Sequence, residues 1–433
     1  MMINNNGNEK TYTGPLTSNQ VAEIESQYLY PYQTSFNLDV AGYGESTESD
    51  HWVFIASPIV GSISADKVTN LIGGMTPSGQ YDFDLYRFNQ SASLEWENYH
   101  QHNTTANPFV LENGKGYLYA SKEDVTLAFP GAVYLAASKE VALDYDANAE
   151  LTGWNLVGNP FNAPATVNKS YYRMNSTGTG LVAEAVSGST SIPAFTGVMV
   201  QATDVEQTVI FTKTTGTKGY QETGLGTLQI ALTQAGARGN AVLDNAIVSF
   251  NEGDELGKFY FGYQDANIYI PVGHDEYAIV CIGRDGVHTV STNEIPVNFK
   301  AHKNGEYTLT VSAPLTSHLS PLTLIDNLTG ANIDLLQTPS YSFTAHTSDY
   351  ASRFKLVFGE GAADDDDDFA FIDGNGNLII NGDGIVQIID MMGHVLVTRN
   401  AKDRIGTEGL AVGVYVLKLI NGENVKTQKI VVR

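Results

Sequence analysis

Cysteine is almost missing from this chain of 433 residues, which contains only Cys281. A single thiol cannot form an internal disulfide, so the fold must be held together by packing. Cys281 lies within the apolar run 277–282, where we interpret it as a small buried side chain rather than a reactive thiol.

Long apolar runs and the common catalytic motifs are also missing. No run of about 18 apolar residues occurs, so no segment of the sequence is predicted to span a bilayer as a helix. The sequence has no G-x-S-x-G elbow, no phosphate-binding G-x-x-x-x-G-K-[ST], no H-E-x-x-H and no paired C-x-x-C. We therefore predict a non-enzymatic protein with no catalytic residues and no required cofactor.

Basic residues are scarce, since 24 Lys and Arg stand against 48 Asp and Glu and give a formal net charge of −24. A surface of this sign repels phosphate, which argues against nucleic acid and anionic membranes as partners. The apolar fraction is 42%, which is enough to bury sizeable cores, and a chain of this length suits several domains.

Short apolar runs separated by glycine-containing turns predict an all-β fold. Asn-Gly pairs, which favour tight hairpin turns, begin at Asn113, Asn304, Asn381 and Asn421. A helical period occurs only in 19–28 and 136–144, where we expect a turn or two of helix.

An internal duplication is predicted between residues 50 and 215. The first copy reads W-V-F-I-A-S-P from Trp52, then L-Y-R-F, G-K-G-Y-L-Y-A and V-T-L-A-F. The second reads W-N-L-V-G-N-P from Trp154, then Y-Y-R-M, F-T-G-V-M-V-Q-A and T-V-I-F. Four blocks in the same order predict tandem β-modules, each burying its tryptophan. We place the copies at about 50–132 and 150–215, in a domain 46–221 that follows an N-terminal segment 1–45.

Two further domains are predicted after the modules. Short strand signals recur through 222–360 and predict a β-sandwich. Five aspartates, Asp364–Asp368, follow; because like charges in series repel and stay solvated, 361–368 should be a flexible acidic linker. A small β-domain, 369–433, ends the chain in a hairpin around Asn421-Gly422.

This last domain resembles the C-terminal sorting domain of the type 9 secretion pathway in Bacteroidetes. The likeness rests on Asp390 and Gly393 in a middle hairpin, on G-V-Y from Gly413 and on K-I-V-V from Lys429, although the Asn-Pro opening common in the family is missing from 369–374. The resemblance implies an Ig-like fold, an export address and the type 9 secretion machinery as partner. The residues it implies for the sorting signal are Gly393, Gly413, Tyr415, Lys429 and Val431.

Segments of the predicted sandwich resemble a module that precedes this sorting domain in Bacteroidetes surface proteins. They are E-I-P-V-N-F-K-A, Y-T-L-T-V, L-I-D-N-L-T-G and D-Y-A-S-R-F. Such proteins are mostly uncharacterised or adhesin-like, so the likeness indicates architecture more than activity. Our leading hypothesis is a secreted or outer-membrane surface protein that binds a host glycan or protein. The alternative is the accessory C-terminal part of a larger secreted hydrolase. Because the amino end lacks a signal peptide, which an exported protein needs, we expect that the chain is either trimmed at its amino end or the C-terminal part of a longer precursor.

Candidate binding residues lie in an insertion of the first copy. Trp96 and Tyr99 have no counterpart in the second copy by sequence, so we predict that they form a ligand-binding loop. Asp82 and Asp84 share one face of a strand, as a carboxylate pair for acid and base catalysis would, but the polar face of a half-buried strand explains them better.

Two metal sites are also considered. His100 and His102 lack a third ligand in their loop, so we prefer a solvated loop to a transition-metal site. Near the linker, the residues Asp373, Asn375 and Asn377 match the first half of the calcium-loop pattern D-x-[DN]-x-[DN]-G, and we keep them as the candidate calcium site. Leu378 occupies the glycine position and the closing glutamate is missing, so a plain hairpin turn is the alternative.

Overall fold

The structure is a computed structural model in which almost all regular structure is β, as the sequence predicted. It describes residues 2–5, 8–11, 35–44, 51–75, 81–186, 191–214, 226–236, 241–250, 253, 255–262, 264–281, 294–312, 322–358, 370–372, 377–380, 384–390, 393–401, 405–407, 409–411, 413–422 and 424–432. By their contacts these residues divide into two units, one that ends at Val357 and a C-terminal one from Phe358 onward.

The first unit begins with a short hairpin and a module, called module 1, of eight strands. The hairpin pairs β1 (Met2–Asn5) with β2 (Asn8–Thr11). Module 1 comprises β3 (Phe36–Val40), β4 (Val53–Ala56), β5 (Ser62–Ser64), a 3₁₀ turn (Ala65–Lys67), β6 (Phe83–Phe88), β7 (Trp96–Asn98), helix α1 (Tyr99–His102), β8 (Val110–Glu112), β9 (Gly116–Ser121) and β10 (Val125–Phe129). Its larger sheet has the order β4-β9-β6-β7, and β3 pairs with β10.

Module 2 follows with the same strand order in its larger sheet. It comprises β11 (Ser138–Ala142), β12 (Trp154–Gly158), β13 (Ala165–Val167), β14 (Tyr171–Met174), β15 (Leu181–Glu184), β16 (Gly197–Gln201) and β17 (Thr208–Lys213). The larger sheet has the order β12-β16-β14-β15, and a smaller one has the order β11-β17-β13.

Each module begins one strand earlier than the sequence suggested. Strand β3 lies in the predicted N-terminal segment 1–45 but pairs along its length with β10. Strand β11 pairs in the same way with β17, so 136–144 contains a strand and the predicted helix there is wrong. An alternating pattern, in which Val141 is buried between exposed Glu140 and Ala142, suits an edge strand better than a helical turn. The other predicted helix, 19–28, lies outside the described residues.

The two modules contact each other through exchanged positions. Ile55 of β4 forms a bridge with Thr196 before β16, and Val157 of β12 forms the matching bridge with Lys115 before β9. Main-chain hydrogen bonds accompany both bridges, because Ala56 N–H donates to Phe195 O at 2.7 Å and Gly158 N–H donates to Gly114 O at 2.9 Å. Reciprocal contacts of this kind are what an approximate two-fold axis between the modules produces.

A glycine from each module lies at this axis, at the start of β9 and of β16. A Cβ on Gly197 would lie 3.3 Å from the Cα of Gly116, and one on Gly116 would lie 2.8 Å from Val157 O. The glycine that recurs in G-K-G-Y and F-T-G-V is therefore required by the close approach of two backbones.

A third part of the first unit, called the sandwich, contains one curled sheet. Its strands are β18 (Thr227–Gln234), β19 (Asp244–Ser249), β20 (Leu256–Gly257), β21 (Ala266–Val272), β22 (Asp275–Cys281), β23 (Glu294–Ala301), β24 (Gly305–Ser312), β25 (Leu322–Asp326), β26 (Ala331–Asp334), β27 (Ser340–Ala345) and β28 (Phe354–Phe358). The order is β26-β25-β28-β23-β21-β22-β19-β18-β24-β27, with β20 beside β22. Phe299 of β23 packs on Phe343 of β27 with ring centres 5.1 Å apart, so the sheet folds over onto itself.

One core joins the modules to the sandwich. It takes Phe54 and Leu118 from module 1, Trp154 and Tyr172 from module 2, and Ile279 from the sandwich, all buried. Because this core draws on all three parts, burial of apolar surface fixes the modules against each other and against the sandwich.

The C-terminal unit contains two small sheets over one core. Its strands are β29 (Ala370–Ile372), β30 (Asn377–Ile380), β31 (Ile385–Ile389), β32 (Val395–Asn400), β33 (Ile405–Gly406), β34 (Gly413–Asn421) and β35 (Asn424–Val432). The sheets have the orders β29-β30-β33 and β32-β31-β34-β35. Val386, Ile388 and Leu417, each 0% exposed, lie at the centre of the core.

Candidate functional site

Trp96, predicted to bind a ligand, packs into the shared core instead of standing in an open loop. It lies in β7 opposite Phe88, with ring centres 5.0 Å apart, and its ring is 6.2 Å from that of Phe261 in the sandwich. Leu181 is opposite Met174 at the same register position of module 2. Trp96 therefore has a structural counterpart, which sequence comparison missed because a Trp and a Leu fill the same place.

Tyr99 begins helix α1 and is also half-buried. Its ring lies 5.7 Å from Phe83 and 5.6 Å from Phe109, and its hydroxyl oxygen accepts a hydrogen bond from Asn103 Nδ2 at 2.9 Å. Burial raises the pKa of the phenol. The aromatic side chain thus anchors the insertion to module 1.

His100 is held by the same insertion in a packed position and not in a solvated loop. Its ring stacks on Tyr81 at 3.5 Å, and Nε2 lies 3.0 Å from Phe83 O and 3.9 Å from Asp84 Oδ1. Burial raises the pKa of Asp84. Asp82 Oδ1 is buried and has no hydrogen-bond partner among the described residues.

Among the described residues, no group of three or more His, Cys, Asp or Glu side chains is arranged to hold a metal ion. Of the predicted calcium ligands, Asp373 and Asn375 lie outside the described residues. Asn377 opens β30, and its side chain is outside them too.

A cavity lies as a cleft between the two modules, and we call it the inter-module cleft. It has a volume of about 480 Å³. Ligand pockets in proteins commonly occupy about 300–1,000 Å³ and are mostly apolar. The apolar wall includes Leu38, Val53, Phe54, Ile192, Phe195 and Val198.

Charged groups around the inter-module cleft are already paired. Arg173 Nε lies 2.6 Å from Glu184 Oε1. Asp39 Oδ1 accepts a hydrogen bond from the Thr126 hydroxyl at 2.6 Å. The remaining polar lining consists of uncharged groups such as Asn175, Ser176 and Ser191, so the cleft suits an uncharged and largely apolar ligand.

The approximate two-fold axis gives the cleft a counterpart, which we call the filled groove. It lies along β12, just as the inter-module cleft lies along β4, and has a volume of about 10 Å³. Gln90, 3% exposed, fills it. The amide of Gln90 donates to Asp144 O and Trp154 O at 2.7 and 3.2 Å and accepts from Asp146 N–H and Gly153 N–H at 2.9 Å each.

Three exchanges distinguish the open cleft from the filled groove. The position of Gln90, two residues after Phe88, corresponds to Ser176, two after Met174. Asn155 in the filled groove corresponds to Val53 in the cleft, and Lys115 corresponds to Thr196. Each exchange replaces a long or polar side chain by a shorter or apolar one, which leaves space and removes polar groups.

Two strand edges border the inter-module cleft. Strand β3 pairs only with β10 among the described strands, and β4 pairs with β9. On its other side, β4 bridges module 2 from Ile55 to Thr196, and just before β4 the His51 N–H donates to Thr177 O at 2.9 Å. Module 2 therefore covers both ends of the outer edge of β4, and the apolar wall between them is a feature that the sequence did not predict.

The predicted sorting residues occupy turns and strand positions of the C-terminal unit. Gly393 has a φ of 89°, and its N–H donates to Asp390 O at 3.0 Å in the turn before β32. Tyr415 is 6% exposed and donates its hydroxyl to Ala411 O at 2.7 Å, next to Gly413 at the start of β34. Lys429 is exposed in β35 opposite Val416. Val431 pairs with Val414, and its side chain lies outside the described residues.

These features describe a small terminal β-domain on a larger modular β-protein. Residues 369–433 match the family model described as secretion system C-terminal sorting domain. The chain is accordingly a secreted or cell-surface-attached protein with an export tail. No similar protein was found among curated proteins. None of the described helices is long and apolar enough to cross a membrane.

Proposed function

We propose that the chain is a non-enzymatic, adhesin-like binding protein exported by the type 9 machinery of a Bacteroidetes bacterium to its outer surface. In this proposal, the modules arose by duplication and their inter-module cleft holds a host ligand. The Ig-like C-terminal domain serves export and anchoring. The observation that carries the binding role is the open cleft of about 480 Å³ beside a filled counterpart of about 10 Å³.

Binding is tested by probing the full chain against glycan and peptide arrays, with and without calcium. Ser176→Trp should weaken binding strongly, because an indole at this position would take up part of the cleft volume that Ser176 leaves open. Ser138→Trp is the matched control, since Ser138 is exposed at the start of β11, away from the cleft. Ligands that bind both variants equally would show that the cleft is not the binding site.

Export is tested by expressing the intact protein and a chain truncated at Gly361 in a type 9 secreting host. The intact protein should reach the cell surface or the medium, and the truncated chain should stay inside. Equal surface amounts of the two would contradict the assignment of the export address to 369–433.

A further inference from the structure

Phe195, just before β16, has a backbone conformation that residues other than glycine rarely adopt. Its φ is 62°, in the left-handed region, where the Cβ of an L-residue crowds the following carbonyl. The corresponding residue of module 1 is Gly114, with a φ of 99°, because the blocks G-K-G-Y and F-T-G-V correspond. Both carbonyls accept a hydrogen bond across the two-fold axis, Phe195 O from Ala56 N–H and Gly114 O from Gly158 N–H. The turn therefore requires this conformation in both modules, and module 2 adopts it with an aromatic residue.

The ring of Phe195 is held in the wall of the inter-module cleft. It stacks on the ring of Phe129, with ring centres 5.7 Å apart and ring planes inclined by 23°. Phe129 is 0% exposed, whereas Phe195 is half-buried and lines the cleft. Backbone strain of this kind persists where the surrounding structure imposes it, and strained residues cluster at binding sites. A glycine at position 195 would avoid the strain but would leave the cleft without this aromatic surface.

The polar groups of the cleft offer little to a ligand that is rich in hydroxyls or carries a charge. Asn175 Nδ2 donates to Val242 O at 3.1 Å, and Asn175 Oδ1 accepts from Thr179 N–H at 2.9 Å, so this amide is engaged within the protein. Arg173 and Asp39 are paired as well. A sugar or a charged group would lose hydration in this cleft without gaining equivalent hydrogen bonds from these residues, whereas an apolar ring has no such hydration to lose.

We propose that the inter-module cleft binds a small molecule with a flat, uncharged aromatic ring system, and that this ring packs on Phe195. The inference rests on the proposed binding function and specifies its ligand. Aromatic pairs are favoured beyond the apolar area they bury, because the negative face of one ring attracts the positive edge of the other. The cleft volume of about 480 Å³ suits a compound of a few fused or linked rings.

The test uses the full chain and N-phenyl-naphthylamine, an uncharged aromatic probe whose fluorescence increases in apolar surroundings. The part of the signal that Ser176→Trp removes and the exposed control Ser138→Trp retains is assigned to the cleft. Naphthol and its saturated analogue decahydronaphthol then compete for this site. Naphthol should displace the probe at a concentration about three to ten times lower, because it alone of the two has aromatic rings. The naphthoate anion should compete at least tenfold less well than naphthol, because it would lose its hydration.

Variants of the protein test the role of Phe195 itself. Phe195→Leu keeps an apolar side chain and the same strained backbone but removes the ring, and it should raise the Kd of the probe about three- to tenfold. Phe195→Gly, which copies Gly114, should raise the Kd further. The control Phe88→Leu makes the same change at a half-buried ring outside the cleft and should leave the Kd unchanged. Circular dichroism during thermal unfolding shows that each variant is folded. Equal displacement by naphthol and decahydronaphthol would overturn the proposal, as would an unchanged Kd in Phe195→Leu.

The outcomes also separate this inference from the proposed function. A glycan or peptide whose binding is weakened by Ser176→Trp but not by Phe195→Leu would sink aromatic recognition and keep the cleft as a binding site. Absence of any ligand sensitive to Ser176→Trp among glycans, peptides and aromatic probes would count against both.

Discussion

Replacing Arg353 by methionine removes one partner of the buried ion pair in the sandwich. The side chains of Arg353 and Asp326 are 1% and 0% exposed. Nε and Nη2 donate to the two carboxylate oxygens of Asp326 at 3.1 and 2.9 Å, and Nη1 donates to Thr344 O at 3.0 Å. The guanidinium carbon lies 4.4 Å from the ring centre of Phe343.

Methionine would keep much of the packing volume but leave the carboxylate with neutral donors, namely Tyr341 OH and the N–H groups of Leu328 and Thr329. Loss of one partner from a buried pair costs about 3–5 kcal/mol, and we expect Arg353→Met to lower the free energy of unfolding by that amount. Adding Asp326→Leu removes the stranded charge and should recover much of the loss. The control Lys355→Met breaks a half-exposed pair with Glu294 and should cost only about 0–1 kcal/mol.

The loss of the ion pair should also change how the free energy of unfolding depends on pH, which a loss of packing alone would not do. Burial acts to raise the pKa of Asp326, but hydrogen bonds from Arg353 and from Leu328 N–H outweigh it, so the pKa is lowered. A lowered pKa stabilises the wild type above the unfolded-state value of about 3.9, and this stability is lost as pH falls through the folded-state pKa.

In Arg353→Met, the cation is gone and burial should raise the pKa of Asp326 above the unfolded value. The variant then loses stability as pH rises through that raised pKa, so its deficit against the wild type should shrink as pH falls from neutral toward about 4. Urea unfolding followed by circular dichroism at several pH values measures both effects. A deficit below about 1 kcal/mol, or one independent of pH, would refute the reasoning.

Three further predictions concern the modules. Gln90→Ala should cost about 2–3 kcal/mol of unfolding free energy in urea titrations, because four hydrogen bonds are lost, whereas the exposed control Gln337→Ala should change little. Gly116→Ala should lower the free energy of unfolding by about 1–3 kcal/mol, since its Cβ would lie 2.8 Å from Val157 O. The control Gly406→Ala, whose Cβ would meet nothing within 4 Å, should be near neutral. Equal shifts in thermal unfolding for the two variants would contradict the close approach of backbones at the two-fold axis. Burial raises the pKa of Tyr119 to about 12. The stabilising effect of the protonated phenol is complete below the unfolded-state pKa of about 10 and is lost as pH rises through about 12. Ultraviolet titrations of the wild type and of Tyr119→Phe should therefore differ by one phenol that ionises near pH 12.

The all-β class could be predicted from the sequence because it depends on local chemistry. Alternating apolar residues and Asn-Gly turns favour strands wherever they pack, and β34 and β35 pair around Asn421-Gly422 as that turn predicts. The motifs L-I-D-N-L-T-G and D-Y-A-S-R-F could be recognised in the sequence, but the contact between them could not be predicted. Only folding places Asp326 of one against Arg353 of the other.

The candidate site was harder to predict, because a side chain's exposure depends on distant residues. Trp96 was unusual by sequence and suggested a binding loop, yet Phe261, far along the chain, covers part of its ring. Placing Ser176 in register with Gln90 would have pointed to a difference between the modules, but sequence gave no reason to examine that position.

The sequence by itself determined that the chain forms strands and ends in a domain that matches a sorting family, since both properties reside in contiguous residues. The tertiary structure alone decided where a ligand has room. The cleft is the space left where β3 and β4 meet residues 171–176 and 191–198 of module 2. Its size depends on side chains that fill one side of the approximate two-fold axis and leave the other open.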